Sequence, residues 1–169
     1  MIIDLDTTPI VKKLESIEDR AAQHYPPTSS QKLLNFGGLR EILSVWIIKK
    51  LYPYNPEHLL SPPLIIPEAD LLQPALDVLN KNLYDVLYAY YAIIPPGKQI
   101  YEHVDTEPYF LQVNRYQVFF NVSPEHLVIQ ENLIVKSNSM VLFDVTKPHA
   151  YKNNSLTESF KFIVFDVPK

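Results

Sequence analysis

The chain contains no cysteine and only three glycines in 169 residues. Without thiols there can be no disulfide, no thiolate metal site and no cysteine nucleophile, and a reducing compartment, the cytoplasm, is the expected location. Positive charge is also scarce. Fifteen Lys and Arg stand against nineteen Asp and Glu, for a net charge of −4 and no basic stripe. A nucleic-acid partner is therefore not expected. Long apolar runs are missing too. Stretches such as VLYAYYAII are far too short to cross a bilayer. Acids and lysines interrupt the first segment, MIIDLDTTPIVKKLES, so neither a membrane span nor a secretory signal is expected. No serine nucleophile elbow, phosphate loop or paired acid–base carboxylates appear.

What the chain does have is apolar and aromatic material. Hydrophobic residues make up 47%, with 11 Tyr and 8 Phe. That is ample for the core of a single domain over residues 1–169. Its character changes near residue 85. Before that point helical spacing dominates. Ile10, Leu14, Ile17 and Ala21 share one face after Thr7, Thr8 and Pro9. A second helix is predicted over GGLREILSVWIIKKLY, with Trp46 in its core-facing stripe and Pro53 ending it. A third is predicted in PEADLLQPALDVLNKN, broken or started late by Pro74. After residue 85, short strands alternate with turns. They are expected near 84–94, 98–104, 114–122, 126–130, 132–136, 140–144, 149–153 and 159–166. Several read as apolar on both faces. The expected class is α+β, mainly β: a jelly-roll core over 85–169, with residues 1–84 as a helical layer packed on one sheet.

His103 and Asp105 lie two apart in YEHVDTEPYF. On a strand such residues share a face, with Tyr101 beside them. An imidazole and a carboxylate can grip a divalent metal from one side, and His149 in FDVTKPHAYKNNS is the obvious third donor. Two histidines and one carboxylate leave three adjacent coordination positions open, as non-haem Fe(II) oxygenases require. The spacing alone is a weak signal, and a histidine bonded to a nearby acid explains it equally well. The strand order between Asp105 and His149 favours the metal.

Three segments then carry a resemblance. IPPGKQIYEHVDTE, NRYQVFFNV and NSMVLFDVTKPHAYKNNSLTESFKFIVFD resemble the aspartyl/asparaginyl β-hydroxylase branch of the Fe(II)/2-oxoglutarate-dependent oxygenases, over roughly residues 90–167. The resemblance implies a double-stranded β-helix. It implies Fe(II) held by His103, Asp105 and His149, and 2-oxoglutarate as co-substrate. The substrate implied is an amino-acid or peptidyl side chain, such as Asp, Asn or Pro. The far carboxylate of 2-oxoglutarate needs a cation. Ser159 and Phe160 stand near the place where the family carries Arg, so Lys161 and Arg115 are the candidates. Gln117 and Asn121 share parity with Arg115 and could add polar contacts. Tyr101 could line the pocket, though aromatic core suits it better. His126 reads as an exposed turn residue, and His24 and His58 have no assigned role. Two other readings stay open: a cupin-like metal-dependent enzyme that does not use 2-oxoglutarate, and a non-catalytic β-barrel binding module.

Overall fold

A computed structural model describes residues 1–24, 43–49, 64–65, 67–131 and 133–169. Among them are ten strands: β1 (Ile2–Asp4), β2 (Leu43–Lys49), β3 (Leu64–Ile65), β4 (Tyr88–Ile94), β5 (Gln99–His103), β6 (Val113–Phe119), β7 (His126–Ile129), β8 (Ser139–Phe143), β9 (His149–Asn153) and β10 (Phe160–Pro168). They form two antiparallel sheets. The larger runs β1-β8-β6-β10-β4-β2-β3 and the smaller β5-β9-β7. From β4 to β10 successive strands alternate between the sheets, which is the jelly-roll way of folding one ribbon into two layers.

β10 shows why the sequence folds this way. FKFIVFDVP is aromatic and β-branched, suited to a pleated surface, and apolar on both faces. Phe160, Phe162 and Val164 point into the core between the sheets, with Ile94, Ile100, Phe143 and Tyr151. Ile163 and Phe165 point the other way, into a second core. There Ile10, Leu14 and Ile17 of α1 (Thr8–His24) and Ala75 and Leu76 of α2 (Gln73–Val78) cover the large sheet. Each fully buried side chain of this kind contributes roughly 1.5–3 kcal/mol. The IPPGK turn joins β4 to β5. Lys98 N–H donates to Pro95 O, and Gly97 has φ +70°, as the third position of a type II turn requires.

Several expectations are corrected. Residues 43–49, expected within a helix, form β2, which pairs with β4. The side chain of Trp46, and residues 37–42 and 50–52 of that expected helix, lie outside the described residues, as do His58 and the side chain of His24. The N-terminal segment is thus not only a helical layer, since β1, β2 and β3 all join the large sheet. No strand forms among the described residues of 132–136. Pro74 opens α2 rather than breaking it, after a 3-10 turn over Pro67–Leu72. His126 is not exposed. It is 4% accessible, stacks on Phe160 at 4.7 Å, and its Nδ1 accepts from the Ser123 N–H.

Candidate metal centre

His103 ends β5 and His149 begins β9, and the two stand opposite each other in the β5–β9 pair. Their ring centroids are 4.2 Å apart. Asp105 follows β5, where its N–H donates to Val145 O and ties the segment to the end of β8. The approach to His149 is shaped by Asp144. Its carboxylate accepts from the N–H and hydroxyl of Thr146, its carbonyl accepts from Lys147 N–H, and Pro148 then turns the chain into β9. As a result one donor atom from each of His103, Asp105 and His149 lies within 4.8 Å of the others.

The chemistry of this donor set suits a divalent ion. His103 Nδ1 lies 2.8 Å from Tyr101 O, and His149 Nδ1 lies 2.9 Å from Lys147 O. A carbonyl can only accept, so each Nδ1 carries the proton and each Nε2 presents a lone pair. Backbone carbonyls that fix the tautomer and aim the ring are the usual support of metal-binding histidines. His103 Nε2 is 3.7 Å from Asp105 Oδ1. Residues present therefore fit a metal held by two imidazoles and a carboxylate.

Behind the triad lies a buried charged network. Arg115, on β6, sits directly opposite Asp166 on β10. Its Nε and Nη2 each donate to Asp166 at 2.7 Å, a two-pronged pair, and Nη1 reaches Asp105 Oδ2 at 3.5 Å. Asp166 also accepts from the Tyr109 hydroxyl at 3.0 Å. Phe110 lies 4.7 Å from the guanidinium carbon. Burial opposes the charge on Arg115, but Asp166 above all, with lesser help from Tyr90 and Asp105, outweighs it, and the guanidinium is held charged above its ordinary range. Gln117 Nε2 donates to the Tyr151 hydroxyl, whose ionisation burial pushes well up. Gln117 Oε1 is buried and has no partner. Together with Tyr90, Ala92, Ile100, Val145 and Phe162, these groups and the triad line a cavity of about 20 Å³.

The other expected site residues are placed elsewhere. Lys161 is on β10 between Phe160 and Phe162, which face the intersheet core, so its side chain takes the opposite face of the strand and does not line the cavity. Tyr101 is 45% accessible, neither pocket nor core. The reason is a bulge. From Ile100 to His103 β5 spends three residues while β9 spends two, so His103 shares the side of Ile100 rather than of Tyr101. Asn121 lies beyond the end of β6 and is exposed. Arg115 lines the cavity, but its partner is the buried Asp166. Asp166 and Tyr151 were not singled out from sequence. A charge closing the apolar run KFIVFD, opposite another inside NRYQVFF, was the signal available, because charges buried in strands must pair. For 2-oxoglutarate the fit is poor: among the described residues the cavity offers one cation, already engaged by two carboxylates.

No family model and no curated protein matches the chain. Among solved structures, a prolyl-4-hydroxylase from Pseudomonas putida is similar over 100% of this chain and 92% of its own, with TM-score 0.56 and 13% identity. A cupin domain of an XRE-family transcriptional regulator from Enterobacter cloacae is similar over 76% of this chain and 97% of its own, with TM-score 0.41 and 16% identity. A predicted oxalate decarboxylase from Thermotoga maritima covers 56% of this chain and 74% of its own, with TM-score 0.38 and 10% identity. The fold is a double-stranded β-helix, as the two sheets and the likeness to the prolyl-4-hydroxylase show. At these identities the likeness is one of fold, and the chemistry rests on the site itself.

Proposed function

We propose that the chain is a non-haem Fe(II)-dependent oxygenase that hydroxylates a C–H bond of an amino-acid or peptidyl side chain, with a 2-oxo acid as co-substrate. 2-Oxoglutarate is the 2-oxo acid implied by the resemblance to the aspartyl/asparaginyl β-hydroxylase branch. One observation carries the reading: the convergence of His103, Asp105 and His149 donor atoms within 4.8 Å at a buried cavity. In this reading those three side chains would hold the ion and would leave coordination positions for other ligands. Fe(II), when bound, supplies the activation of dioxygen that no side chain here can perform. The carbonyls of Tyr101 and Lys147 keep both rings in the ligating tautomer. Arg115 orients Asp105 from behind, and Phe143, Tyr151 and Phe162 keep bulk water from the inner face.

The test is anaerobic. Fe(II) is added, then 2-oxoglutarate, and the visible charge-transfer band of an iron-chelated 2-oxo acid is sought. In air, succinate should accumulate with Asp-, Asn- or Pro-containing peptides. A second reading, a cupin-like metalloenzyme that uses no 2-oxo acid, is favoured by the engagement of Arg115 with Asp166. Iron retained without any band would select it. An iron-loaded protein that turns over nothing, and makes no succinate even uncoupled, would point to a binding module. His103→Ala should lose the iron, and retention there would refute the site.

A further inference from the structure

We infer that the inner wall of the cavity is built for an uncharged ligand tail, so a second carboxylate is not what selects the co-substrate. The inference rests on the metal-centre reading above. It follows from how the buried charges are already spent. Arg115 is the only cation among the described residues that line the cavity. Each of its three nitrogens faces a carboxylate, two on Asp166 and one on Asp105. Asp166 is fully buried and has the Tyr109 hydroxyl as a further donor. An incoming carboxylate would have to displace it and leave a charged group stranded in a dry interior, which is costly. Counted formally, Asp166 cancels the guanidinium and Asp105 belongs to the metal, so the wall behind the ion offers an incoming carboxylate no uncompensated positive charge.

Gln117 points the same way. It is 2% accessible, and its amide N–H is committed to the Tyr151 hydroxyl. The amide oxygen is left without a partner at the cavity wall. A buried acceptor of this kind repels a carboxylate and welcomes an N–H or O–H group. The rest of the lining is uncharged: Ala92, Ile100, Val145 and Phe162 are apolar, and Tyr90 and Tyr151 are neutral phenols. A 2-oxo acid can still chelate the metal through its keto-acid end. Its other end would meet apolar surface and neutral polar groups.

Two probes separate the ends of the ligand. 2-Oxoglutarate and 2-oxovalerate share the chelating end and the chain length, and differ in a terminal carboxylate against a methyl. The Fe(II)-loaded protein is titrated with each without oxygen, following the visible band, with iron content measured first. 2-Oxovalerate is expected to bind as tightly as 2-oxoglutarate or more tightly, with no gain from the terminal carboxylate of the size a charge-assisted pair gives. Asp166→Asn releases Arg115, and 2-oxoglutarate should then gain about tenfold or more over 2-oxovalerate. A wild-type preference of tenfold for 2-oxoglutarate overturns the inference, and so does a folded Asp166→Asn protein that shows no gain. Should that variant fail to fold, the wild-type comparison decides alone. Iron binding with no band from either acid sinks the 2-oxo acid reading and this inference with it, whereas a band from 2-oxoglutarate only sinks the inference alone.

Discussion

Replacing Arg115 with Met tests the network behind the metal centre. The substitution keeps much of the side chain's length and apolar bulk, so packing beside Phe110 changes little. What it removes is two 2.7 Å bonds to Asp166 and the contact to Asp105. Asp166 is 0% accessible and would be left with the Tyr109 hydroxyl. Stranding one partner of a buried pair costs about 3–5 kcal/mol. Against a total stability of about 5–15 kcal/mol, that is a large fraction. For a chain of this length it corresponds to a fall in melting temperature of about 10 °C. Urea unfolding at neutral pH, followed by circular dichroism, reads the change. The double variant Arg115→Met with Asp166→Leu removes both charges together, and it should be more stable than the single variant by several kcal/mol. A single variant within about 1 kcal/mol of wild type would refute the reasoning, because Asp166 would then have water or another partner to take the place of the guanidinium. So would a double variant at least as unstable as the single.

Ala in place of His103, Asp105 or His149 should each abolish iron retention while leaving the far-ultraviolet spectrum intact, and elemental analysis after desalting checks it; three variants that each still hold one iron would refute the site. Gly97→Ala meets no atom within 4 Å, so its effect is purely conformational. At φ +70° it should cost about 1–2 kcal/mol in urea unfolding, and an unchanged midpoint would mean the turn is not as described. His126 gives a pH signature. Burial pushes its pKa below the ordinary 6.5, opposed only in part by the Asn121 backbone and by the carboxylates of Glu158 and Glu125. The unfolded chain therefore binds more protons below about pH 6.5, and stability, complete above that value, declines as the pH falls towards the native pKa. The decline is at most about 1.4 kcal/mol per pH unit, and His126→Gln should reduce it. Identical pH curves for the two proteins would show that His126 is not the group responsible.

The β core was readable because its strands are punctuated by turn residues with definite backbone demands. The IPPGK segment is one example, and Asn153 is another: its amide donates to Ile94 O and Glu158 O and so holds the last loop. The segment around Trp46 was not readable. Leu39, Ile42, Leu43, Trp46 and Ile47 satisfy a helical spacing, yet LSVWIIK is rich in β-branched and aromatic residues and has β4 to pair with. Short apolar runs carry both signals, and a partner strand distant in sequence decides between them. The site divides on the same line. His103 and Asp105 were placed together by local spacing. Tyr101 was misplaced by a bulge of one residue, which reverses every parity argument behind it.

The same logic accounts for the two cations, and it bears on the chemistry. Lys161 and Arg115 look interchangeable in a linear reading, both lying in apolar strands near the end of the chain's metal motif. Alternation on β10 sends Lys161 to the face away from the cavity, while cross-strand register puts Arg115 opposite Asp166. A strand pair is thus enough to convert a prospective ligand-binding cation into an internal support for Asp105. Nothing in either strand alone announces this, because it depends on β6 and β10 being neighbours although 40 residues of chain separate Phe119 from Phe160. The donor atoms that could hold a metal are set by local geometry around β5 and β9. The charge that a ligand meets beyond them is set by the register of the opposite sheet. A substitution at Asp166, in the opposite sheet from the histidines, therefore changes the charge behind the triad while His103, Asp105 and His149 stay as they are.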